Sequence, residues 1–166
     1  MKKLIFRGAG VAIVTPFTAD EINFPEFRRM IDHQIDHGTD AIIVAGTTGE
    51  AATMNDAEHK AAIKFAVETV RGRVPVIAGA GSNDTSYAIH LSQYSEQAGA
   101  DGLLLVTPYY NKCTQKGLVE HFRAIADSVS IPCILYDVPS RTGVSIKVPA
   151  YVELAKHPNI VAVKEA

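Results

Sequence analysis

Lys164 closes the apolar run Val161-Ala162-Val163, and a lysine amine at the end of a buried strand is a potential nucleophile toward a carbonyl. Polar residues close earlier apolar runs in the same way. Thr47 and Thr48 follow 41–45, Tyr110 follows 102–107, and Tyr136 ends 131–136 with Arg141 in the loop beyond it. A lysine of ordinary pKa, about 10.4, is neutral in only about 1 molecule in 2500 at pH 7, so a nucleophilic lysine needs desolvation or a nearby cation. The flanking Val161, Ala162 and Val163 are expected to supply an apolar wall. With an α-keto acid the amine forms an imine. The iminium is an electron sink, so a proton is lost and the resulting enamine attacks an aldehyde. Tyr136 and Tyr110 are candidate proton relays, with the Thr47 hydroxyl bridging them. The backbone N–H groups of Thr47, Thr48 and Gly49 can hold a carboxylate where their loop turns toward a helix. Arg141 can clamp a second carboxylate in a bidentate fork.

Each of these residues also has a plainer role open to it. Lys164 can be a solvated tail, and Tyr136 a core aromatic with a wet hydroxyl. Tyr109 and Tyr110 can cover a loop, Thr47 and Thr48 can be turn and capping residues, and Arg141 can be a surface charge. Glu50 is expected to pair with loop backbone rather than act as a base. His59, His90 and His121 fall on helices and read as solvated.

The chemical reading requires that the ends of these apolar runs share one face. The runs at 10–15, 41–45, 75–79, 102–107, 131–136 and 160–164 are continuous rather than alternating, which suits parallel strands covered on both faces. Helical spacing separates them: Phe27, Met30, Ile31 and Ile35; then Ile63, Ala66, Val67 and Val70; then 85–97; then Leu118, Phe122 and Ile125; and a short helix begins near Pro149. Asn23 with Glu26, and Asn55 with Glu58, have capping-box spacing, and Gly38, Gly72 and Gly99 follow helices. A strand–loop–helix unit thus recurs about every 30 residues, five times, before a sixth strand. Both an open doubly wound sheet and a (β/α)₈ barrel fit that pattern, and both put the strand-to-helix loops where ligands bind. No dinucleotide fingerprint follows the first strand. Gly79-Ala80-Gly81 has its first two glycines but follows the third strand and lacks the last glycine. There is no Walker A sequence.

At 166 residues the chain is long enough for one domain. Hydrophobic residues make up 47% and charged residues 20%, as in soluble globular proteins. A net charge of −2 makes no electrostatic case for nucleic acid or an anionic membrane. Cys113 and Cys133 offer no disulfide framework, and the scattered histidines offer no zinc spacing. The first eight residues lack a leader's apolar core, and no run spans a bilayer. These features predict a soluble, cytoplasmic protein and offer no metal-ligand cluster.

Gly46-Thr47-Thr48-Gly49-Glu50, Tyr109-Tyr110, Tyr136-Asp137-Val138-Pro139-Ser140-Arg141-Thr142-Gly143 and Val163-Lys164-Glu165 together closely resemble the dihydrodipicolinate synthase family. Its members, the 4-hydroxy-tetrahydrodipicolinate synthases, are pyruvate-dependent class I aldolase-type lyases of the lysine and diaminopimelate pathway. The resemblance runs along the whole chain. It implies that Lys164 forms the Schiff base with pyruvate and that Tyr136 relays protons, linked through Thr47 to a Tyr110 lent by a neighbouring subunit in a homo-oligomer. It implies that Thr48 holds the pyruvate carboxylate, that Arg141 orients aspartate semialdehyde, and that no cofactor takes part. The related sialic acid lyase branch lacks an arginine in that loop and typically has serine where Thr47 stands. Asn83, His59 and Tyr109 match the family's lysine-inhibition site, but Ala51, Asp56 and Tyr87 stand where serine, histidine and glutamate are often found, so lysine inhibition is not carried across.

A full barrel takes about 250 residues. The expectation is therefore an α/β domain over residues 1–166: an incomplete TIM barrel of about five βα units and a sixth strand, truncated after the strand that carries Lys164 and self-associating through open sheet edges. Two alternatives are an inactive half-barrel-like module that only self-associates, and another pyruvate-Schiff-base aldolase acting on a sugar acid.

Overall fold

Six parallel strands lie side by side in chain order: β1 (Gly10–Ala12), β2 (Ala41–Val44), β3 (Val76–Gly79), β4 (Gly102–Val106), β5 (Cys133–Asp137) and β6 (Ile160–Glu165). The structure is a computed structural model that describes residue 2 and residues 4–166. Met1 and Lys3, part of the N-terminal stretch read above as no leader, lie outside the described residues. The strand order separates the two architectures. A doubly wound sheet reverses direction at a switch point, whereas a barrel adds each strand beyond the last. The sequential order gives a curled half-barrel, the incomplete TIM-type fold expected from the family resemblance and the chain's length.

Helices α1 (Phe24–Asp36), α2 (Asp56–Val70), α3 (Thr85–Gln97), α4 (Gln115–Asp127) and α6 (Val148–Leu154) connect the strands. Two short elements fall in stretches read as loop: a 3₁₀ turn at Ala51–Thr53 and a single helical turn, α5 (Pro139–Thr142). The predicted caps form, with one difference. In α2 the box is reciprocal: the Asn55 N–H donates to Glu58 Oε2 at 2.9 Å and the Glu58 N–H to Asn55 Oδ1 at 3.0 Å. In α1 the Glu26 N–H donates to Asn23 Oδ1 at 3.1 Å, but the Glu26 carboxylate pairs with Arg29 instead of turning back. The Asn23 N–H is already taken by the Pro16 carbonyl at 2.8 Å, so a returning carboxylate has nothing to accept.

Two apolar clusters lie on opposite sides of the sheet. The larger one, between strands and helices, holds Phe27, Ile31, Ile63, Leu91, Leu103, Leu105, Phe122 and Leu135 among others. Full burial of each such side chain stabilises by roughly 1.5–3 kcal/mol. The smaller lines the concave face with Ile77, Leu104, Tyr136 and Val138, and Ile5 packs against it. Among the described residues no helix is long and apolar enough to cross a membrane.

Two histidines correct the expectation of solvated side chains. His59 and His121 are buried, whereas His90 is exposed as expected. Their spacing explains it. His59 continues the stripe Ala62, Ile63 and Ala66, and His121 stands between Leu118 and Phe122 on the buried face of α4. His121 Nδ1 lies 2.9 Å from the Thr85 hydroxyl, and its Nε2 is buried with no partner among the described residues. Burial pushes the His121 imidazole down to about 4, because the charged form loses its hydration. The unfolded chain therefore takes up this proton first as pH falls from about 6.5, and stability is lost until the folded protein also protonates near pH 4. Stability at pH 4 should be lower than at pH 7 by at most about 3 kcal/mol from this residue. Urea denaturation of His121→Phe across this range should show a flatter pH dependence than the parent chain.

Candidate active site

The C-terminal ends of the strands open onto a cavity of about 560 Å³, lined by Gly46, Thr47, Gly79, Tyr136 and Arg141 among others. Close backbone contact shapes its wall. A Cβ at Gly79 would lie 2.1 Å from the Ala45 carbonyl oxygen, so only glycine lets β2 and β3 approach there. Beyond β2, Ala45 takes a left-handed conformation with φ 51° and turns the chain into the Thr47 loop. The loop is tied by Glu50 N–H to Thr47 O (3.1 Å), Ala51 N–H to Gly46 O (3.3 Å) and the Thr15 hydroxyl to Gly49 O (2.9 Å). The N–H groups of Thr47, Thr48 and Gly49 donate to no protein acceptor among the described residues. They remain available to a ligand anion. Glu50 meets the loop through its backbone, and its exposed carboxylate takes no hydrogen bond from a described residue.

Tyr136 is 5% exposed on the concave face, and Lys164 stands directly across the β5–β6 ladder. Lys164 Nζ lies 4.2 Å from the Tyr136 ring centroid, within cation–π range. A register shift makes this pairing. Cys133 pairs with Ile160, but the next residue, Ile134, pairs with Ala162, so Val161 is an extra residue in β6. Plain alternation from Ile160, which faces the helices, would put Lys164 on that same outer side. The bulge reverses the parity and turns Lys164 inward. It also corrects the expected apolar wall. Only Ala162 shares the Lys164 face, and Ala162 and Val163 are both exposed.

Arg141 sits on α5, exposed, lines the cavity, and pairs with no carboxylate among the described residues. The Thr142 hydroxyl braces this turn between Val138 O (3.2 Å) and Val144 O (3.0 Å). The structure thus gathers Thr47, Tyr136 and Arg141 around one cavity, with Lys164 against Tyr136 and Gly49 buried beneath the loop. Thr48 is exposed outside the cavity lining. Tyr110 is 91% exposed with φ 75°, and no hydrogen bond links it, Thr47 and Tyr136. The neighbouring Tyr109 lines the cavity instead, its carbonyl accepting from Asn83 Nδ2 at 3.2 Å.

His59, read above as a solvated helix residue and matched only to the family's lysine-inhibition site, also lines the cavity. Its Nε2 lies 2.8 Å from Gly79 O, and burial holds its pKa below the usual histidine value, partly offset by that carbonyl. Its place on the apolar stripe of α2 was the available signal. Ala51, Asp56 and Tyr87 join it at the cavity mouth, where Lys60 Nζ lies 2.8 Å from both Asp56 Oδ2 and His90 Nε2.

Comparison with known proteins shows the family. A family model described as the dihydrodipicolinate synthetase family matches residues 5–166. The chain belongs to that family. It is 59% identical over 165 residues to the 4-hydroxy-tetrahydrodipicolinate synthase of Acetivibrio thermocellus, a match covering 99% of this chain and 56% of that protein. The structure resembles dihydrodipicolinate synthase from Aquifex aeolicus, with a TM-score of 0.95 and 49% identity over 97% of this chain and 55% of that one. It is equally similar, at TM-score 0.95 and 46% identity over 98% and 56% of the two chains, to the chloride-inhibited dihydrodipicolinate synthase from Acinetobacter baumannii complexed with pyruvate. The chain spans about half the length of the curated relatives it matches.

The bulge at Val161 is directly testable. Deleting Val161 removes only the extra residue, so plain alternation then runs from Ile160 outward to Lys164 inward and the Lys164 ε-methylene should stay on the Tyr136 ring. In NMR of lysine-labelled protein the ring-current-shifted Lys164 signal should stay in place, and its return to the position of the other lysines would overturn Val161 as the extra residue.

Proposed function

We propose that this chain carries the Schiff-base half of 4-hydroxy-tetrahydrodipicolinate synthase chemistry, the condensation of pyruvate with aspartate semialdehyde. The observation that carries the reading is Lys164 standing across the ladder from Tyr136, beside the cavity lined by Thr47 and Arg141. Membership of a family whose Acinetobacter baumannii member was solved with pyruvate supports it.

In this reading Lys164 Nζ attacks the pyruvate ketone carbon. The carbinolamine oxygen takes a proton through the Tyr136 hydroxyl and leaves as water, and a C=N bond replaces C=O. The N–H groups of Thr47, Thr48 and Gly49, with the Thr48 hydroxyl, hold the pyruvate carboxylate. The iminium accepts the electron pair of a methyl C–H bond as its proton departs. The enamine carbon then attacks the semialdehyde carbonyl, whose oxygen takes up a proton. The sequence needs no cofactor, because the iminium is itself the electron sink. Arg141, unpaired and at the cavity rim, binds the semialdehyde carboxylate. Tyr110, projecting into solvent, suits a residue that reaches the site of a neighbouring subunit in a homo-oligomer.

Borohydride trapping with pyruvate, read by intact mass and peptide mapping, tests the amine. One adduct confined to Lys164 and absent in Lys164→Ala is expected. No adduct, or adducts spread over many lysines, would leave an inactive module as the correct reading of this chain. Arg141→Ala should keep pyruvate trapping and lower semialdehyde condensation by roughly tenfold or more, about 1.4 kcal/mol of transition-state binding. Unchanged condensation would point to a different aldehyde acceptor.

A further inference from the structure

Directly behind the Tyr136–Lys164 pair, on the helix side of the sheet, the next register pair is Asp137 opposite Glu165. Two carboxylates facing each other across a ladder repel and push the strand ends apart. Here a phenol stands over them. The Tyr151 hydroxyl, from α6, lies 3.2 Å from Asp137 Oδ2 and 3.3 Å from Glu165 Oε2. We propose that Tyr151 is a positioning residue for the Schiff-base pair: its one hydroxyl proton, shared between Asp137 and Glu165, holds the ends of β5 and β6 in the register that sets Lys164 over Tyr136. This rests on the function proposed above for its catalytic meaning, but its geometric content stands apart from it.

Three further observations carry the inference. First, Asp137 is 1% exposed, and the same Oδ2 accepts from the Ile146 N–H at 2.9 Å and the Ser145 hydroxyl at 3.4 Å. That carboxylate therefore closes the neck of the loop bearing Arg141, and Gln115 grips the same loop from α4 through Ser145 O and the Lys147 N–H. Tyr151 is thus tied at once to the strand of the proposed proton relay, the strand of the proposed nucleophile and the base of the Arg141 loop. Second, among the described residues the one side-chain hydrogen bond to residues 161–165 is that from Tyr151; otherwise the backbone ladder holds this end, closing with the Ala166 N–H donating to Asp137 O at 3.1 Å. Third, burial and the two neighbouring carboxylates raise the Tyr151 pKa, so the phenol remains a donor throughout the neutral range.

The test reads the juxtaposition itself. In NMR of lysine-labelled protein, the ε-methylene of Lys164, assigned by its loss in Lys164→Ala, should be displaced upfield by the Tyr136 ring. Tyr151→Phe removes only the oxygen and should return that signal to the position of the other lysines. Glu165→Asp, at an exposed site, keeps the charge opposite Asp137 but draws the carboxylate back from the Tyr151 hydroxyl; it should do the same and decides the matter if Tyr151→Phe does not fold. Tyr94→Phe, which loses a remote hydroxyl bonded to Lys60 O at 3.3 Å, should leave it in place. A Lys164 signal unchanged in Tyr151→Phe and Glu165→Asp, or undisplaced in the parent chain, overturns the proposal. Pyruvate trapping separates it from the functional reading. In a chain that traps pyruvate, Tyr151→Phe should slow the adduct by roughly tenfold. If the parent does not trap while its Lys164 signal still depends on Tyr151, the chemistry falls and the positioning role stands.

Discussion

The pleat of the β5–β6 ladder is the constraint on which the site depends. Side chains alternate faces along a strand, so a single extra residue reverses the side on which everything downstream lands. Val161 is that residue in β6. It lets Ile160 serve the core beneath the helices while Lys164 faces the concave side with Tyr136. The same parity sends Asp137 and Glu165 outward together, where Tyr151 meets both. Lys164 beside Tyr136 on one face and Glu165 beside Asp137 on the other follow from one local irregularity.

The loops at the strand ends are held by backbone geometry more than by charge. Ala45 and Glu50 adopt left-handed conformations, and Gly79 lies where a Cβ would strike the Ala45 carbonyl. This crowding leaves successive N–H groups of the Thr47 loop without protein acceptors. The Arg141 loop is held differently, by the buried Asp137 carboxylate at its neck and the Thr142 hydroxyl within it. Among the described residues Arg141 is thus free of ion pairing while its loop is fixed at the base.

Burial divides the polar residues by role. His59 and His121 lie on apolar stripes, where desolvation lowers the pKa of both imidazoles. Tyr136 is buried on the concave face and Arg141 is open to solvent, although both border the same cavity. Tyr110 projects outward from a left-handed position and is almost wholly exposed.

Continuous apolar runs, helical stripes and capping residues were enough to read the six strands, the five longer helices and their order, because those signals are local and repeat. The polar residues at the strand ends were legible for the same reason: in any parallel α/β arrangement those ends share an edge. Membership in the family could also be read from Tyr136-Asp137-Val138-Pro139-Ser140-Arg141 and its distance to Lys164. The tertiary structure alone decided which way Lys164 points, since the register shift arises from pairing with β5 and leaves no mark in the composition of β6. It alone separated Tyr109 from Tyr110, adjacent in sequence but divergent in space. It also disclosed Tyr151, whose partners Asp137 and Glu165 are each 14 residues away. Local sequence carries propensity and period; register, burial and convergence of distant side chains exist only once the strands are paired.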